Sequence, residues 1–190
     1  MAQFKVALIV GSTRRESINR KLGQALAKLG KDKLDFQFVQ IDDLPLYNQD
    51  NETNLPPSVV RFKSEIAAAD GLLFVTPEHS RSIPAALKNA IDWGARPWGK
   101  NNWTGKLAAV TGASPGAIST ALAQQHLRQI LGAQGVLLMA LRAESDCVHI
   151  LRQVLETEDT ILDRELPATL AVVAADVRAL ADKLLEIRPH

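Results

Sequence analysis

Unbroken apolar runs constrain this chain more than any other feature. Val6-Ala7-Leu8-Ile9-Val10, Leu72-Leu73-Phe74-Val75 and Leu107-Ala108-Ala109-Val110 contain no polar residue. A strand with one wet face alternates apolar and polar residues. An unbroken run marks a strand covered on both faces, the habit of parallel sheets. With two less regular runs, strands are expected near 4–10, 35–41, 71–76, 106–111 and 135–140. Helical periodicity fills the gaps near 18–30, 57–69, 83–93 and 117–131. A final helix is marked on one face by Leu170, Val173, Ala174, Val177, Leu180, Ala181 and Leu184. Pro57 and Pro84 fall in first helical turns, where proline is accepted.

Strands alternating with helices predict an α/β fold, a doubly wound three-layer sandwich around a five-stranded parallel sheet. For 190 residues the natural strand order is the flavodoxin-like 2-1-3-4-5, with one domain spanning 1–190. No Gly/Ser-rich linker divides the chain, and the polar stretch 48–54 reads as a long loop. A ligand is then expected beyond the C-terminal ends of the strands.

The first of those ends is chemically dense. Gly11-Ser12-Thr13-Arg14-Arg15-Glu16-Ser17-Ile18-Asn19 joins the first strand to a helix with an Ile18, Leu22, Ala25, Leu26, Leu29 face. A strand, a short polar loop and a helix N-terminus together present N–H groups to an anion. Ser12, Thr13 and Ser17 add hydroxyls, Asn19 an amide, and Arg14 and Arg15 guanidinium groups. With one glycine, the loop matches neither G-x-G-x-x-G nor a Walker loop. It suits one terminal phosphate, and FMN is the commonest cofactor of that kind on such sheets. Ordinary helix capping by Ser17 explains the same residues equally well.

In the 2-1-3-4-5 order, the loops after strands 1, 3 and 4 open on one side. The second is Pro77-Glu78-His79-Ser80-Arg81-Ser82-Ile83-Pro84, where His79 offers a flat ring between two stiffening prolines. The third is Thr111-Gly112-Ala113-Ser114-Pro115-Gly116-Ala117, expected to present free N–H groups around Ser114 to Ala117, with Gly116 permitting close approach. Three such loops suit a flat ligand with a phosphate tail.

On the segments 6–22, 77–93 and 111–131 the chain resembles the NADPH-dependent FMN reductase family, the flavodoxin-like quinone and chromate reductases. The resemblance implies noncovalent FMN. Ser12, Arg14, Ser17, Ile18 and Asn19 would take the phosphate. Pro77, Glu78, His79 and Ser80 would lie along the ribityl chain and ring, and Ser114, Pro115 and Gly116 at the ring's other edge. It implies two-electron reduction of quinones, and more loosely of azo dyes, chromate or free flavin, by NADPH or NADH in ping-pong turnover. It also implies a homodimer or homotetramer. The family usually reads Pro-Glu-Tyr-Asn where this chain has His79 and Ser80, so an imidazole stands in place of a phenol ring and an amide is lost. The stretch 140–159 departs further; a helix near 148–156 is expected there.

Composition narrows the classes. A net charge of +1 without a basic run gives no footprint for nucleic acid. No apolar stretch reaches membrane-spanning length, and the N-terminus lacks a signal peptide's pattern. The single cysteine, Cys147, excludes an intrachain disulfide, reads as an inert thiol and suits a reducing cytoplasm. The histidines at 79, 126, 149 and 190 have no metal-ligand spacing. Asp42-Asp43 resembles an acidic metal pair but follows the second strand, whereas a phosphoacceptor domain would place its acidic residues after the first and third strands. Trp93, Trp98 and Trp103 read as packing residues, with a substrate mouth as the alternative. A flavodoxin-type electron carrier is the main rival reading, although such carriers are typically strongly acidic. A module of this fold that has lost its ligand is the third.

Overall fold

In the computed structural model the described residues are 4–116, 118–139, 179–180, 182–184 and 186. Five parallel strands form one sheet: β1 (Phe4–Val10), β2 (Leu34–Val39), β3 (Gly71–Val75), β4 (Leu107–Thr111) and β5 (Leu137–Leu138). Their order is β2-β1-β3-β4-β5, as the alternation of apolar runs predicts. Four helices connect them: α1 (Ile18–Gly30), α2 (Pro57–Ala68), α3 (Ala85–Ala95) and α4 (Ala121–Ala133).

The unbroken runs are buried on both faces. Along β1, Val6, Leu8 and Val10 pack against Leu22, Leu26 and Leu29 of α1, with Leu180 and Leu184 in the same cluster. Ala7 and Ile9 face the other way, into a cluster with Val59, Phe62 and Ile66 of α2, Leu87 and Ile91 of α3, and Leu127 and Leu131 of α4. The period-two alternation of a strand thus feeds two cores. Each buried leucine contributes about 1.5–3 kcal/mol. Of the last expected helix, residues 179–180, 182–184 and 186 are helical. The rest of that face, the expected helix near 148–156 and Cys147 lie outside the described residues.

Element edges differ from the sequence expectation for local reasons. The β1–β2 ladder ends at Ile9↔Val39, so Gln40 and Ile41 fall outside β2. Pro84 caps α3 rather than entering its first turn. Ser119 has φ +52°, which no α-helix accommodates, and α4 starts at Ala121 rather than at 117. The loop after β2 contains a short 3-10 helix, Gln49–Asn51, that periodicity did not suggest.

Trp93 and Trp103 are fully buried, as the packing reading expects, whereas Trp98 is 87% exposed. A Cβ on Gly94 would lie 2.3 Å from the Trp103 ring, so that helix position must be glycine. The β2–α2 loop is fastened to α3: the Tyr47 N–H donates to Asn89 Oδ1 at 2.7 Å, and Arg96 Nε donates to Glu52 Oε1 at 2.6 Å. Tyr47 also donates its hydroxyl to Glu52, which holds the Glu52 carboxyl below the usual carboxylate range.

Candidate functional site

The ladder carries the three loops to one edge in register. Beyond β1, the Gly11 N–H donates to Val75 O at 2.9 Å, and beyond β3 the Thr76 N–H donates to Thr111 O at 2.9 Å. A Cβ on Gly112 would sit 2.0 Å from Thr76 O, so the second and third loops leave the sheet in backbone contact. Between the loops lies a cleft of about 590 Å³. Ser12, Arg14, Ser17, Ile18 and Asn19 line it from the first loop, Pro77, Glu78 and His79 from the second, and Ser114 and Pro115 from the third. Ten of the twelve residues expected at the site are therefore brought together. Ser80 and Gly116 are not among the lining residues; both are exposed, beside the lining residues His79 and Pro115.

The first loop is arranged for an anion. Ser17 caps α1, its Oγ accepting from the Arg20 N–H at 3.2 Å. The capping explanation is thus realised, and the same residue lines the cleft. Ser12 Oγ accepts from the Arg14 N–H at 3.4 Å. No acidic residue occupies the first turn of α1; Glu16 lies just before its N-cap. No described residue pairs with the Arg14 guanidinium, which is exposed at the cleft.

Asn19 is a strut. It is 1% exposed, and its amide both donates to Ala113 O and accepts from the Ala113 N–H, each at 2.9 Å. This pair joins the first loop to the third across 94 positions of sequence.

The second loop is a tight turn. The His79 and Ser82 backbones exchange two hydrogen bonds of 2.9 Å, and Ser80 and Arg81 between them have φ +49° and +66°. Glu78 is committed at both oxygens: Oε1 to Arg81 at 3.2 Å, and Oε2 to the Ala123 N–H in the first turn of α4 at 3.1 Å. That helix has no capping bond from its own Thr120, so Glu78 caps it from across the site. Ser82 Oγ meets His126 Nδ1 of α4 at 2.7 Å.

The third loop corrects one expectation. Its N–H groups are not free: Ser114 N–H donates to Ser119 Oγ and Gly116 N–H to Ser114 Oγ, both at 3.2 Å, while Ala117 lies outside the described residues. A polar loop with two serines satisfies its own donors. Among the described residues a notional Cβ on Gly116 meets only Ser114 Oγ, at 3.6 Å, so they do not require glycine there.

Sequence reasoning did not single out Pro84, Ala85, Ala86 and Ala113 as lining residues. The available signal was the small-residue start of α3, which leaves the cleft wall low. Among the described residues no group of three metal-ligating side chains converges, and no helix is long and apolar enough to cross a membrane.

A parallel sheet of order 2-1-3-4-5, with helices around it and a cleft between three loops at one edge, defines a flavodoxin-like fold. The sequence profile of NADPH-dependent FMN reductase matches residues 4–150. The chain is 51% identical over 136 residues to a 2-hydroxy-1,4-benzoquinone reductase of a Burkholderia species, covering 72% of this chain and 74% of that one. It is 51% identical over 129 residues to a quinone reductase of Pseudomonas putida, covering 67% and 69% respectively. Among solved structures, it is similar to the flavoenzyme NAD(P)H:(acceptor) oxidoreductase FerB of Paracoccus denitrificans, with TM-score 0.78 and 36% identity over 96% of this chain and 98% of that one. The chain belongs to the NADPH-dependent FMN reductase family.

Proposed function

We propose that the cleft holds FMN with its phosphate on the first loop, and that the protein uses it to pass electrons from NAD(P)H to quinones. The observation that carries this reading is the Arg14 guanidinium, unpaired among the described residues, beside Ser12 and Ser17 at a helix whose first turn holds no acidic residue. A dianionic phosphomonoester suits that donor set: one charge-assisted contact, hydroxyls and helix N–H groups. The relatives named quinone reductases support the acceptor class.

Bound FMN supplies the site that accepts and releases hydride. The chain's residues bind and orient. Arg14 and the hydroxyls fix the tail, His79 offers a face to the ring from the second loop, and open space at Gly116 leaves an edge approachable. Pro77 and Pro84 line the same wall and keep it stiff. No general base is needed from the protein. With one accessible ring face, donor and acceptor use it in turn. Steady-state rates measured over both substrates should give parallel double-reciprocal lines; intersecting lines, or a stoichiometric one-electron radical of the acceptor, would remove this mechanism.

A homo-oligomer is part of the reading. Trp98 and Leu46 are 87% and 82% exposed, a liability on a monomer's surface. Light scattering at micromolar concentration tests it, and a mass of 20.7 kDa would exclude it. The lone cysteine supports a reducing cytoplasmic setting.

A further inference from the structure

We propose that His126 is a positioning residue: through Ser82 it holds the turn that presents His79 in the conformation FMN needs. The proposal rests on the reading of the cleft as an FMN site. Three observations lead to it.

The turn is strained. Both of its central residues, Ser80 and Arg81, have positive φ without being glycine. A two-residue hairpin of this kind favours Asn-Gly, and an L-residue with a Cβ resists the left-handed region. Such geometry persists only where its surroundings over-determine it.

The surroundings consist of two legs standing on one helix. On the N-terminal leg, Glu78 Oε2 accepts from Ala123 N–H at 3.1 Å. On the C-terminal leg, Ser82 Oγ meets His126 Nδ1 at 2.7 Å. Ala123 and His126 are three residues apart on α4, hence neighbours on one face. The turn is clamped at both ends, with the His79–Ser82 backbone pair closing the frame.

The position of His79 depends on that frame. Its side chain is exposed and lines the cleft, so the backbone below it sets where the ring lies. Releasing the Ser82 leg lets Ser80 and Arg81 relax toward negative φ and carries His79 away.

The test is an FMN titration of the full-length apo-protein, read by quenching of flavin fluorescence, with the visible flavin spectrum reporting the ring's surroundings. His126→Leu should weaken FMN binding about 3–10-fold, the scale of one hydrogen bond, and shift the flavin band. His126→Asn places an amide group near the position of Nδ1 and should restore affinity to within about twofold. Arg81→Gly removes one of the two strained positions, so His126→Leu should cost less on that background than on the wild type. Equal losses on both backgrounds, or no loss with His126→Leu, would overturn the inference. If His126→Leu does not fold, Ser82→Ala breaks the same bond from the other end and must show the same loss; unchanged affinity there is equally fatal. A wild-type protein that takes up no FMN would instead overturn the reading of the cleft itself.

Discussion

The first and second loops hold the same cleft by opposite means. Within the first loop the side-chain bonds from Ser12 to Ser17 go to near neighbours: Ser17 caps the helix it precedes, and Ser12 closes on Arg14 two residues on, while only the loop's ends, Gly11 and Asn19, are tied to the distant Val75 and Ala113. From Pro77 to Pro84 the chain is secured from a distance, by Ala123 and His126 of α4 at separations of 45 and 44 positions. The first loop keeps its guanidinium unpaired among the described residues. The second spends its carboxylate on Arg81 and on a helix N-terminus. A locally closed loop can offer its charges to a ligand. A strained turn must use its own to stay in place.

Breaking the contact that brings the second and third loops together should have the largest effect. Gly112→Val drives a side chain into the Thr76 carbonyl, where even a Cβ would lie at 2.0 Å. No folded protein is expected, and circular dichroism of the purified variant checks it. Next is the strut between the first and third loops. Asn19→Leu leaves the Ala113 N–H and carbonyl unpaired beneath a buried side chain, costing about 3 kcal/mol in urea unfolding. A loss below about 0.5 kcal/mol would show that the loops are joined some other way.

A contrast within the third loop is sharper. Among the described residues Gly116→Val meets nothing but Ser114 Oγ, so the apo-protein's stability should stay within about 0.5 kcal/mol of wild type. Its FMN affinity should fall because the open edge is filled. A stability loss matching that of Asn19→Leu would contradict the view that glycine at 116 serves the ligand alone. The smallest effect belongs to the strained turn. Arg81→Gly trades a left-handed arginine for glycine and should raise stability by about 1 kcal/mol, less whatever the exposed Glu78 contact contributes. A destabilised variant would mean that the turn is not under strain.

The same division explains what the amino-acid sequence reveals. The strand order, the two-faced burial of β1 and β3 and the grouping of the loops follow from apolar runs and connection rules, which are properties of neighbouring residues. So does the first loop, whose hydroxyls and arginine lie within a few residues of the helix they serve. Asn19 reads as a phosphate ligand in sequence because its partner, Ala113, is 94 positions away and has no distinguishing side chain. Glu78 likewise reads as a ligand, although both its oxygens are taken. The third loop's donors look free because a serine five positions on can satisfy them only once the loop has folded back. Tertiary hydrogen bonds to backbone atoms leave no periodic trace.

The central claim is that the first loop recognises the phosphate of FMN through Arg14. Its most direct test compares FMN with riboflavin, which lacks only that phosphate, by titrating the apo forms of wild type and Arg14→Ala. The wild type should prefer FMN strongly. Arg14→Ala should lose about 10- to 100-fold in FMN affinity, as expected for a hydrogen bond to a charged group, while riboflavin affinity and the apo-protein's melting temperature stay unchanged. Equal weakening of both ligands, or undiminished preference for FMN, would contradict the account.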